Sequence, residues 1–114
     1  MQDNATTLAE LKARVLAFAQ ARDWQAFHSG KNLAMSIAIE AAELMEHFQW
    51  SPPAPESINK QEVAEELADV LIYALAFANR LEIDVAAAIS AKLDKNETRF
   101  PATVRGQIIK TKEQ

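Results

Sequence analysis

Cysteine is absent from the sequence, so disulfides, thiolate metal sites and thiol nucleophiles are excluded, and the composition suits a reducing compartment. Glycine and proline are scarce, at two and four residues, and three of the prolines sit together at Pro52, Pro53 and Pro55. With so few breakers and no alternating apolar pattern, the chain reads as helices and not as a sheet. Long apolar runs are missing as well. The longest, Val70 to Ala78, is interrupted by Tyr73 and falls short of the ~20 residues that a membrane span needs. A basic surplus is also lacking: 12 Lys and Arg stand against 16 Asp and Glu, a net charge of -4, which argues against a sequence-independent grip on a nucleic-acid polymer. Met1-Gln2-Asp3-Asn4 has no basic segment followed by an apolar one, so no signal peptide is expected. These absences, with a length of 114 residues, predict one all-α domain in the cytoplasm, with no membrane and no nucleic-acid polymer as partner.

Four helices are predicted. Thr7 with Glu10 has the form of a capping box, and Leu8, Leu11, Val15 and Phe18 recur behind it at helical spacing, to about Arg22. A loop carrying Trp24, Phe27, His28, Ser29 and Gly30 leads to a second helix, from about Asn32 to Trp50, ended by Ser51-Pro52-Pro53. Asn59 with Glu62 opens a third, to about Arg80, and Asp84 caps a fourth, from Val85 to about Arg99, before Pro101. The polar residues 102–114 read as a loose tail.

The helical pattern breaks at two places. In the second helix the stripe Leu33, Ile37, Leu44, Phe48 is interrupted by Glu40, and Glu43 follows three residues on, on the same surface. In the third, Leu67 to Ala78 is apolar nearly all round except for Asp69 and Tyr73, and Glu66 stands three residues before Asp69. Two unit charges at about 6 Å in an effective dielectric near 20 repel by roughly 3 kcal/mol, so something must offset each pair. Protons, lysines and arginines are candidates. A set of oxygen ligands without cysteine is, however, the preferred setting of a hard cation such as Mg²⁺, which keeps waters and accepts phosphate oxygens. A single Glu-x-x-Glu on a helix is ordinarily a solvated face, and Glu46, Glu62 and Glu65 are read so. Trp24, Phe27 and Trp50 read by default as core or staple residues. Lys92, Asn96 and Arg99 make one polar, cationic stripe on the fourth helix, able to hold a polyphosphate.

Four blocks in order are recognisable: Trp24-Gln25-Ala26-Phe27-His28 with Lys31-Asn32-Leu33; Glu40-Ala41-Ala42-Glu43-Leu44 with Phe48-Gln49-Trp50; Glu65-Glu66-Leu67-Ala68-Asp69 through Tyr73; and Lys92-Leu93-Asp94-Lys95-Asn96 through Arg99-Phe100-Pro101. Together they resemble the MazG-like nucleotide pyrophosphohydrolases, and within them the short dCTP pyrophosphatase branch. The resemblance implies a four-helix bundle-like MazG fold completed by oligomerisation. It also implies Mg²⁺-dependent cleavage of a nucleoside triphosphate between the α and β phosphorus atoms, in the manner of a nucleotide-pool house-cleaning enzyme. The family's acidic quartet maps onto Glu40, Glu43, Glu66 and Asp69, and its phosphate-contacting positions onto Lys92 and Asn96, with Arg99 assisting. Trp24, His28, Asn32, Trp50 and Tyr73 match positions around base and sugar, and Lys31 stands where a close relative has arginine. Ala42 replaces a small glycine often found between the two glutamates.

The mechanism expected of this set is a metal-activated water attacking phosphorus, with Glu43 preferred over Glu40 as proton acceptor and Lys92 stabilising the phosphate charge. The third helix is apolar on too many sides for one chain to cover, which predicts a homodimer or homotetramer. Three other readings stand beside this one. A helical interaction module would bind no metal. A di-iron bundle wants paired Glu-x-x-His motifs, which His28 and His47 do not supply. A phosphoribosyl-ATP pyrophosphatase-like enzyme shares the acidic logic but not the aromatic blocks.

Overall fold

The computed structural model describes residues 1–50 and 55–104, and among them every regular element is helical. Helix α1 spans Leu8–Ala21, α2 Gly30–Glu46, α3 Lys60–Arg80 and α4 Val85–Arg99, with 3₁₀ turns at Trp24–Phe27, Pro55–Ser57 and Ala102–Val104. The chain divides into two compact units, Met1–Ile83 with α1 to α3, and Asp84–Gln114 with α4.

Each α-helix starts on a side chain that accepts a hydrogen bond from an otherwise unpaired first-turn amide. Thr7 accepts from the Glu10 amide, Asn59 from Glu62 and Asp84 from Ala87, as the sequence suggested. The start of α2 differs from expectation. Ser29 Oγ accepts from the Asn32 amide at 3.1 Å, so the helix begins at Gly30, two residues ahead of Asn32. It also ends at Glu46, short of Trp50, because the amides of His47 and Phe48 turn back to the carbonyls of Leu44 and Met45 in tighter three-residue turns. The Ser51-Pro52-Pro53 stop and tail residues 105–114 lie outside the described residues.

In the first unit α3 packs against both α1 and α2. Among the described residues its buried face is Leu75, Ala76 and Ala78, joined by Ala19 of α1 and Leu33 of α2. The alanines let backbones approach closely, and two hydrogen bonds exploit this. Asn79 Nδ2 donates to the Lys12 carbonyl at 2.9 Å, and Lys12 Nζ donates to the Ile83 carbonyl at 2.7 Å. Helix α3 closes in a Schellman motif in which Ile83 donates to Ala78 and Glu82 to Asn79. This puts Glu82 at φ 54°, a left-handed position that glycine ordinarily fills.

A core of five buried apolar residues leaves a great deal uncovered. Met35, Ile39 and Met45 of α2 and Leu67, Leu71 and Ile72 of α3 are exposed, in keeping with a third helix that carries more apolar surface than one chain covers. The aromatic residues that read by default as core or staple residues are not buried. Trp24 is 44 % exposed, Phe27 67 % and Trp50 89 %. Trp24 is held edge-on against Phe18, which carries the Arg22 guanidinium over its ring.

Candidate metal and nucleotide site

Helices α2 and α3 run antiparallel: Leu33 and Ser36 lie beside Tyr73 at one end of their groove, and Glu40, Glu43 and His47 face Glu66 towards the other. Because α2 and α3 each repeat every 3.6 residues, spacings of three and four keep these side chains on the shared groove.

At the acidic end, one carboxylate oxygen each from Glu40, Glu43 and Glu66 lies within 4.8 Å of the others. Three carboxylate oxygens gathered this closely offer the donor type that a hard divalent cation such as Mg²⁺ prefers. Glu40 and Glu66 are half-buried and Glu43 is exposed, giving a cluster rooted in protein and open on one side. Burial pushes the Glu40 carboxyl above its ordinary value, and hydrogen bonding to Glu43 and the charges of Glu43, Asp69 and Glu66 push it the same way. The Glu66 carboxyl is raised by burial first, then by Glu43 and Asp69, while His47 opposes the rise. Asp69 is exposed and stands outside the three-oxygen cluster, close enough for its charge to reach both Glu40 and Glu66.

Glu40 Oε2 is buried and has no hydrogen-bond partner. An acceptor-only oxygen in that state, among three further carboxylates, calls for a cation or a proton. The donor set is all oxygen, which fits a hard divalent ion and suits neither a thiophilic nor an imidazole-seeking one.

At the other end of the groove a cleft of about 340 Å³ is lined by Trp24, Phe27, His28, Asn32, Leu33, Ser36 and Tyr73. Four residues that the resemblance placed around a base and sugar, Trp24, His28, Asn32 and Tyr73, therefore share one cavity. The 3₁₀ turn after α1 delivers the first two, and Asn32 Nδ2 anchors that turn by donating to the Phe27 carbonyl at 3.0 Å. Lys31 and Trp50 are exposed and stand outside this lining. In the second unit Lys92 is exposed, while Asn96 and Arg99 are half-buried, with the Arg99 guanidinium 5.0 Å from the Phe100 ring centroid.

The sequence reading missed three participants. Phe27, by default a core or staple residue, lines the cleft. Ser36 carried no signal beyond its place one turn before Glu40. His47 was considered only against a Glu-x-x-His pattern, although its spacing of four from Glu43 already put it on the acidic face; its Nε2 lies 4.0 Å from Glu66 Oε1.

Comparison with known proteins bears on the same residues. Residues 35–111 match the model of the MazG-like family, a span that contains all four carboxylates. The chain is 40% identical over 101 residues to dCTP pyrophosphatase 1 of Bos taurus and 40% identical over 102 residues to that of Homo sapiens, covering 83% and 84% of this chain. It spans 60% of the length of each of these relatives. The crystal structure of a pyrophosphatase from Archaeoglobus fulgidus superposes with a TM-score of 0.77 at 40% identity, covering 89% of this chain and 98% of that one. The chain belongs to the MazG-like family.

Proposed function

We propose that the chain is a nucleotide pyrophosphatase, a hydrolase that cleaves a nucleoside triphosphate between the α and β phosphorus atoms to give the monophosphate and pyrophosphate. The observation that carries this reading is the spacing of the two ends of the groove. Ser36 precedes Glu40 by four residues on α2, and Asp69 precedes Tyr73 by four on α3. Four residues of helix rise about 6 Å, so a base held in the aromatic cleft sends its phosphates toward the carboxylates. The named activity of the similar proteins, dCTP pyrophosphatase 1 and an archaeal pyrophosphatase, supports the same reaction. It also favours dCTP or a related or modified deoxynucleotide as substrate; a role in cleaning the nucleotide pool belongs to the same proposal.

In this reading Glu40, Glu43, Glu66 and Asp69 hold Mg²⁺. When bound there, the ion supplies charge neutralisation toward phosphate oxygens and acidifies water. Glu43, the exposed member of the cluster, accepts the proton of the attacking water. Lys92, Asn96 and Arg99, which share one face of α4, bind phosphate oxygens. Trp24, Phe27 and Tyr73 receive the base, and His28 and Asn32 offer polar contacts to base and sugar, with Lys31 and Trp50 adding contacts from outside the cleft lining.

The exposed pairs Met35 with Ile39 and Leu67 with Leu71 each sit at a spacing of four, forming apolar stripes that a second copy of the chain would cover. A homodimer or homotetramer follows. Size-exclusion chromatography with light scattering gives twice or four times the chain mass, and a clean monomer at micromolar concentration overturns the assembly. Among the described residues no helix is long and apolar enough to cross a membrane.

The reaction is tested by a pyrophosphate-release screen over standard and modified dNTPs and NTPs, with and without Mg²⁺, with products identified by ³¹P NMR. Mg²⁺-dependent release of pyrophosphate and monophosphate is expected. Release of orthophosphate instead, or turnover of none of them, contradicts the proposal.

A further inference from the structure

The residues around the acidic cluster are not all carboxylates. His47 sits at the end of α2, one turn beyond Glu43, and its Nε2 faces Glu66 Oε1 across the groove at 4.0 Å. Both side chains are about a quarter exposed, 26% and 27%, so the pair is partly shielded from solvent. The imidazole does not join the three-oxygen cluster itself. It stands on the flank of one cluster member, and neither α2 nor α3 carries an imidazole within its own span.

Position matters here because Glu66 is the one cluster member contributed by α3, whereas Glu40 and Glu43 both come from α2. An ion shared by the two helices needs the Glu66 carboxylate held against a free rotation about its own side-chain torsions. A donor on its flank supplies that restraint, as outer partners commonly do for metal-ligating carboxylates.

We infer that His47 is a positioning residue, donating from Nε2 to Glu66 and so presenting that carboxylate to a divalent cation shared with Glu40 and Glu43. The inference rests on the metal-site reading of the acidic cluster and names a residue outside the quartet that tunes it. His47 touches neither substrate nor the reacting atoms in this scheme; its effect passes through Glu66.

The test is Mn²⁺ binding to the full chain without nucleotide, followed by electron paramagnetic resonance of the free ion, in wild type, His47→Leu, His47→Gln and Glu66→Gln. Leucine keeps the bulk and removes the donor, whereas glutamine restores a donor. Expected is a loss of affinity of about tenfold or more in His47→Leu, substantial recovery in His47→Gln, and unchanged metal-free melting in both. A purely structural role for the ring would lower the melting temperature and give glutamine no advantage. If wild type and His47→Leu bind equally while Glu66→Gln does not bind, the positioning role is overturned and the metal site survives. If wild type itself fails to bind Mn²⁺, the metal site falls and the inference with it.

Discussion

The two ends of the α2–α3 groove use the same helical spacing for opposite chemistry. At one end Glu40, Glu43 and Glu66 crowd together, with Glu40 Oε2 buried and unpartnered and two carboxyls pushed toward the neutral form. At the other end Trp24, Phe27 and Tyr73 line an open cleft without a charged carboxylate among its walls. The acidic end works against the fold of the metal-free chain, because close negative charges repel and one oxygen is desolvated without return. The aromatic end costs the fold little and leaves apolar surface exposed. Both departures from a well-packed helical pair lie where a ligand is proposed, and strain of this kind is expected at functional sites.

The sharpest way to break this contrast is Glu40→Gln. The substitution removes a ligand and a strained charge together, so activity should fall by at least about a hundredfold while the metal-free protein melts about 2–5 °C higher. Steady-state kinetics and melting in EDTA read the two effects, and a variant that loses stability along with activity would mean that Glu40 is structural.

A smaller effect is expected at the aromatic end. Phe27→Ala should raise KM about tenfold and leave kcat within about twofold, since base stacking contributes roughly 1–3 kcal/mol and Phe27 is two-thirds exposed. Unchanged KM would take Phe27 out of the substrate's path.

Acidity separates the two ends further. Glu40 and Glu66 hold their protons more tightly folded than unfolded, so their contribution to stability is fully present below the ordinary carboxylate value and is lost as pH rises through the raised folded values. The metal-free protein should therefore gain melting temperature from these two groups as pH is lowered from neutral toward the ordinary carboxylate value. Mg²⁺, which needs the ionised ligands, should stabilise most at the upper end of that range. Glu40→Gln should flatten the metal-free trend, and a trend unaffected by it would assign the pH response to other groups.

The smallest expected effect is a control outside the groove. Glu82→Gly at the left-handed end of α3 should stabilise the fold by about 1 kcal/mol and leave activity unchanged, as measured by denaturant melts and turnover.

The same contrast explains what could be read from the sequence. A charge that interrupts an apolar helical stripe is visible at once, so Glu40 and Asp69 stand out by periodicity and Glu43 and Glu66 by their spacing of three from them, and Thr7, Asn59 and Asp84 announce three helix starts by their side-chain chemistry. The start of α2 was misplaced because Gly30 reads as a breaker, although Ser29 before it is a good cap. Its end was misplaced because Pro52 and Pro53 mark the last place a helix can run, not where the tighter turns at His47 and Phe48 stop it. Asp69 shares the spacing of Glu66 but not its place in the cluster, since position across two helices depends on their packing. Trp24 and Phe27 read by default as core or staple residues because aromatic side chains are usually buried, and only the family resemblance points Trp24 toward a base; that a 3₁₀ turn carries both to the lip of a cleft is a property of the loop's conformation, which no periodicity encodes.

The central claim is that the carboxylates of α2 and α3 hold a divalent ion beside a nucleotide-sized cleft. Anomalous diffraction from crystals of the chain grown with Mn²⁺ tests it most directly. The expected result is an anomalous peak within ligand distance of Glu40, Glu43 and Glu66; a map with no peak among those three side chains, at Mn²⁺ concentrations that support turnover, would contradict it.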